Sequence, residues 1–172
     1  MLIEVVPHKP QWKKDFNTES QLILVALGDN LLRIHHIGST AIPRIYAKPI
    51  IDILVEVKDL DLVTTQTIAM EELGYEAMGE FGLIGRRYFR KENHSGIRTH
   101  HVHIYKANFL EVKRHQAFRD YMIAHPQAAE RYSQLKQKLA QEYPHDIEGY
   151  MDGKDSFIQK MEQKALQWQE RQ

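Results

Sequence analysis

The sequence predicts an α/β (α+β) protein with a small mixed β-sheet flanked by helices and a helical C-terminal part. Three observations carry that expectation. Residues 50–57 form an apolar, β-branched run of the kind buried on both faces of a sheet. Residues 86–105 read as a long hairpin turning at Asn93 and Gly96. Beyond Asn108 the apolar spacing becomes helical and stays so, interrupted at Pro126 and Pro144. A length of 172 residues suits one domain, residues 1–108 forming the α/β core and 109–172 the helical part.

Taken in order, Pro7 and Pro10 bias the residues before them toward extended geometry, so the chain opens extended. From 11 to 27, Trp12, Phe16, Ile23 and Leu27 recur near helical spacing, and Gly28 supplies a stop. A short strand over 31–37 ends at Gly38-Ser39, and Pro43 and Pro49 punctuate the connection to the strand at 50–57. Residues 60–73 read as one amphipathic helix closed by Gly74, and the Gly-rich stretch 75–85 begins a further strand. The hairpin arms are 86–91 and 98–105. Three helices follow over 111–124, 126–143 and about 146–169, with Pro126 suited to a first helical turn. The Gln-rich end at 167–172 is expected to fray.

Hydrophobic residues at 42% and charged residues at 27% give an ordinary globular balance. The 23 basic side chains equal the 23 acidic ones, which excludes the uniform basic field of a general nucleic-acid or membrane binder. The absence of cysteine removes disulfides and thiolate metal ligands. The N-terminus lacks a secretory pattern, and no run approaches the ~20 apolar residues of a membrane span, so the expected location is cytoplasmic. Charge is nevertheless segregated. Residues 84–119 hold nine basic side chains against Glu92 and Glu111, whereas 61–80 hold five acids and no Lys or Arg. Such a basic stretch suits a triphosphate or, less favoured, an RNA backbone; charges on an exposed hairpin also serve simply to block edge pairing.

Two clusters bear chemistry. Glycine at 38 lets a backbone approach a phosphate closely, and the hydroxyls of Ser39 and Thr40 can donate to its oxygens, although Gly-Ser is equally an ordinary turn. Asp52 then stands inside an apolar strand, where a carboxylate needs a cation, a hydrogen bond or a metal. Mg²⁺ or Mn²⁺ would suit it, together with ligand phosphates; pairing with Lys48 is the plainer alternative. Strand alternation puts Asp52, Leu54 and Glu56 on one face, but Leu54 occupies the place of a second acid and Glu56 lies roughly 13 Å along the strand. The second cluster is Thr99-His100-His101-Val102-His103-Ile104-Tyr105, in which His101 and His103 share a face about 7 Å apart at the backbone. Were both rings within about 5 Å of Asp52, one ion could be shared among the three.

These stretches together resemble the GrpB family. The likeness rests on VVPHKPQW, HHIGSTAIP, AKPIIDILVEV, GRRYFRK, RTHHVHIY, RHQAFRDYMIAHP and YSQLKQKLAQEYP, and covers nearly the whole chain. It implies the nucleotidyltransferase fold and, in some proteins, fusion to dephospho-CoA kinase. Ile37, Gly38 and Ser39 match the superfamily's turn, and Asp52-Ile53 match the start of its acidic motif; Leu54 departs from the second acid. Arg44 also departs, standing where similar sequences tend to have Gly. The resemblance implies a small nucleotide or other phosphorylated ligand as partner. Gly38, Ser39 and Thr40 would receive phosphate oxygens; Lys48, Arg86, Arg87 and Arg90 would offset triphosphate charge; Asp52, His101 and His103 would hold a divalent ion or act in catalysis. Nucleotidyl transfer is the leading reading, with a non-catalytic binding module and a metal-dependent phosphohydrolase as alternatives.

Overall fold

In the computed structural model, which describes residues 2–172, the order is α1 (Gln11–Leu27), β1 (Leu31–Ile37), β2 (Ile51–Val57), α2 (Leu60–Thr65), α3 (Thr67–Glu72), β3 (Tyr75–Ala77), β4 (Arg86–Glu92), β5 (Arg98–Lys106), α4 (Leu110–Ala124), α5 (Pro126–Glu142) and α6 (Ile147–Glu170). Local chemistry sets many of these limits. The Asp59 side chain accepts from the Asp61 and Leu62 backbone and starts α2. Asp146 does the same for α6 through the Gly149 N–H, and Pro126 stands in the first turn of α5. The single helix expected over 60–73 is instead two, broken at Gln66. Its side chain donates to the Leu27 carbonyl, a partner far away in sequence that no local pattern reveals.

The chain divides into two compact units. One comprises Pro10–Ile37 and Ile50–Val112 and holds a five-stranded mixed sheet of order β1-β2-β5-β4-β3. β2 and β5 are parallel; the other neighbours are antiparallel. β2 is an interior strand, with Ile51, Ile53, Leu54, Val55 and Val57 all buried. Burial of each such side chain contributes about 1.5–3 kcal/mol relative to exposure. α1, α2 and α3 pack on one face, where Phe16 stacks on His36 and the buried Glu19 accepts from the Tyr75 hydroxyl and from Lys91. On the opposite face Ile37, Leu54, Tyr105 and Val112 form a second cluster with Leu83.

The other unit gathers the N-terminal residues to Lys9, the loop Gly38–Pro49 and Lys113–Gln172. Its core joins Ile42 and Ile45 of the loop to Met122, Ala128, Ala129, Tyr132 and Met161 of the helices. Gly153 permits the close approach of α6 to α5, since a Cβ there would lie 2.3 Å from Leu139 Cδ2. Arg44 has φ 69°, the left-handed backbone that favours glycine. No described helix is long and apolar enough to cross a membrane.

Candidate functional site

Parallel pairing of β2 with β5 sets Asp52 opposite His101 and Leu54 opposite His103, and β4 sets Tyr88 opposite His103 and Arg90 opposite His101. Directly opposed residues share a face, so Asp52, His101, His103, Tyr88, Arg86 and Arg90 project to one side. Asp52 Oδ1 lies 3.2 Å from His101 Nδ1 and 3.6 Å from His103 Nε2, its side chain 27% exposed. Burial pushes the carboxyl up, but the two imidazoles outweigh burial and hold it well below the usual carboxylate range.

Each ring is backed by an arginine. His103 Nδ1 lies 3.4 Å from Arg86 Nη1, and His101 Nε2 lies 3.4 Å from Arg98 Nη1. A guanidinium only donates, so the ring nitrogen facing it carries a lone pair and the ring proton sits on the nitrogen facing Asp52. One carboxylate thus stands between two oriented imidazoles, with an arginine behind each. Tyr88 closes one side, its ring 5.7 Å and 5.2 Å from those of His101 and His103, while the Arg86 guanidinium lies 4.9 Å over the Tyr88 ring. Phe81 stacks on Tyr88 at 5.2 Å, remains 53% exposed, and has φ 49°. An exposed aromatic held in a sparsely populated backbone conformation is a feature concentrated at ligand sites.

The anticipated basic set is divided. Arg86 faces the cluster. Arg90 shares that face but is engaged by Glu76 at 2.8 Å. Arg87 belongs to the opposite face, where its Nε donates to Thr64. Glu56 is sealed by Arg33 and His35, 2.9 Å and 2.8 Å away. Burial raises its carboxyl and those two partners lower it further, to a net downward shift. With Leu54 wholly buried, a second acid is not presented beside Asp52.

Gly38, Ser39, Thr40 and Lys48 belong to the helical unit. Gly38 has φ 73° and enters a single 3₁₀ turn over Ser39–Ala41, in which Thr40 is buried. Ser39 donates to the Tyr132 hydroxyl at 3.4 Å, and Lys48 Nζ lies 5.3 Å from the Tyr150 ring centre. A groove of about 630 Å³ in this unit, lined by Ile3, Val5, Tyr46, Gln137 and Ala140 among others, contains none of the anticipated site residues.

Among the described residues no three His, Asp or Glu side chains form a ready metal cage. The Asp52 cluster meets the distance criterion for sharing one ion, but its ring protons occupy the direction an ion would need. Tyr88 and Phe81 are members that sequence reasoning missed, and Arg98 counted there only among the nine basic side chains of residues 84–119. Arg98 stands where the β4–β5 register slips between Lys91 and Glu92, and from there reaches His101, a direction strict alternation withholds.

The profile of the GrpB family, described as GrpB protein, matches residues 2–164. A crystal structure of the conserved protein GrpB from Enterococcus faecalis is 47% identical, with a TM-score of 0.91, covering 95% of this chain and 98% of that one. The UPF0157 protein YqkA of Bacillus subtilis is 41% identical over 96% of this chain, which spans 48% of that relative. The Glutamate-rich protein GrpB of Alkalihalophilus pseudofirmus is 34% identical, over 90% of each.

Proposed function

The chain belongs to the GrpB family, and from that premise we propose that it binds a phosphorylated small molecule, a nucleoside triphosphate foremost, at the Asp52, His101 and His103 cluster. The observation that supports this most is one carboxylate oxygen shared by two imidazoles, each backed by an arginine. Arg86 and Arg98 turn from the rings to hold phosphate oxygens, for which guanidinium has the matching donors. The lone pairs they leave uncovered on His101 and His103 then become bases, oriented by Asp52. In nucleotidyl transfer, an acceptor hydroxyl gives its proton to one of these nitrogens while its oxygen bonds to the α-phosphorus. The bond to the bridging oxygen breaks, and pyrophosphate leaves with the electron pair. Phe81 offers its exposed ring to the base.

Asp52, His101 and His103 would hold a Mg²⁺ or Mn²⁺ ion, which supplies charge neutralisation at the phosphates. In that role the ring nitrogens facing Asp52 would carry the lone pairs, the tautomer opposite to that of a base, so ion holding and base catalysis are alternative roles of the two rings. A non-catalytic binding module is the second reading, favoured by buried Leu54 and sealed Glu56, which leave the acid set incomplete. Water in place of the acceptor would make the same cluster a phosphohydrolase.

Calorimetric titration with ATP, CTP, GTP and UTP, with and without Mg²⁺ or Mn²⁺, tests the binding claim. Ion-dependent binding weakened by about 10-fold or more in Asp52→Asn is expected; unchanged ion-dependent affinity in that variant overturns the assignment. Released pyrophosphate then separates transfer from binding alone, and released inorganic phosphate marks the hydrolase.

A further inference from the structure

Three lysines meet in the helical unit: Lys48 from the loop, Lys136 from α5 and Lys154 from α6. The Lys136 residue is 1% exposed, and its Nζ lies 4.3 Å from the Tyr132 ring centre without a hydrogen-bond partner among the described residues. Lys154, 9% exposed, places its Nζ 4.9 Å from the Tyr150 ring centre, and Lys48 reaches the same ring. The Tyr150 hydroxyl is also buried without a partner among the described residues. A buried ammonium is ordinarily paired with a carboxylate, because desolvating an isolated charge is costly. Here burial, then Lys154, then Lys48 push the Lys136 ammonium down to about 6. The three donors have aromatic faces beneath them, and Lys154 and Lys48 push Lys136 in the same direction as burial does.

We propose that Lys48, Lys136, Lys154 and the Tyr150 hydroxyl form a binding well for a polyphosphate anion, separate from the Asp52 cluster and independent of how that cluster functions. The ligand class follows from the donors. Lysine binds phosphate as a point charge, and three ammonium groups balance a di- or triphosphate far better than a carboxylate or other monoanion. The depth of Lys136 excludes a duplex or a protein surface as the partner. The anion supplies both the charge and the acceptors that Lys136 and Tyr150 lack, so Lys136 takes up a proton as the ligand enters. Ser39 and Tyr132, linked at 3.4 Å, connect the Gly38–Ser39 turn to the ring beneath Lys136.

The test uses the full chain, inorganic tripolyphosphate and EDTA, so that no divalent ion contributes. Titrated by calorimetry near neutral pH in buffers of different ionisation enthalpy, the wild type is expected to bind with net proton uptake. Lys136→Met is expected to bind about 30-fold more weakly or worse, to lose the proton uptake, and to melt no lower than the wild type without ligand, since it removes a buried amine that has no hydrogen-bond partner among the described residues. Lys154→Gln provides a second, less buried probe, also with weakened binding. Absence of tripolyphosphate binding by the wild type, or unchanged affinity in Lys136→Met, overturns the proposal. So does a Lys136→Met chain that fails to fold, which would make the ammonium structural. Asp52→Asn is expected to retain this binding while losing ion-dependent nucleotide binding, so the two sites fail separately.

Discussion

His101 Nδ1 lies 3.2 Å from Asp52 Oδ1 because the two residues are directly paired across the parallel strands β2 and β5, separated by 49 positions in the chain. That one register brings a carboxylate and imidazoles from opposite halves of the sheet unit onto a common face.

The Asp52 carboxyl is held below its unfolded value of about 3.9. A depressed carboxyl adds stability that is fully present above the unfolded pKa and is lost as pH falls toward the folded one. Urea unfolding of the wild type and Asp52→Asn should therefore show a stability difference that shrinks as pH falls below about 4. A difference that grows as pH falls would contradict the hydrogen-bonded arrangement.

Arg86 and Arg87 are adjacent in sequence but occupy opposite faces of β4. Arg86→Ala and Arg98→Ala are each expected to weaken nucleoside triphosphate binding by about 10-fold. Arg87→Ala should leave it within about twofold, as measured by calorimetry, because distant side chains act independently.

Phe81 is expected to contribute through the base. Phe81→Ala should weaken ATP binding by about 5- to 10-fold, within the range of a lost stacking platform, while affinity for inorganic tripolyphosphate stays unchanged. An equal loss for both ligands would place the ring in a structural role.

Glu56 is expected to hold the sheet rather than a ligand. Its carboxylate ties Arg33 and His35 of β1 to β2, so Glu56→Gln should lower the urea midpoint without altering the ion dependence of nucleotide binding.

Much of this was legible in the sequence. Helical spacing and Gly28 located α1 at Gln11–Leu27, and the β-branched run located β2 to within one residue. Alternation placed His101 and His103 on one face, because that period is a property of the strand itself. Their nearness to Asp52 was not legible, because parallel pairing is a long-range choice. The break at Gln66 depends on the remote Leu27 carbonyl, and the reach of Arg98 depends on a register slip. The burial of Lys136 is written in the helical spacing as well. That residue occupies the apolar stripe of α5 formed by Ala129, Tyr132 and Leu139.

The most direct test of the central claim is imidazole nitrogen NMR of labelled His101 and His103 during titration with ATP and Mg²⁺. Both rings should begin with the proton on the nitrogen facing Asp52, Nδ1 in His101 and Nε2 in His103, and both should shift as Arg86 and Arg98 turn to the phosphates. Resonances of both rings that stay fixed while ATP saturates the protein would show that the ligand binds elsewhere.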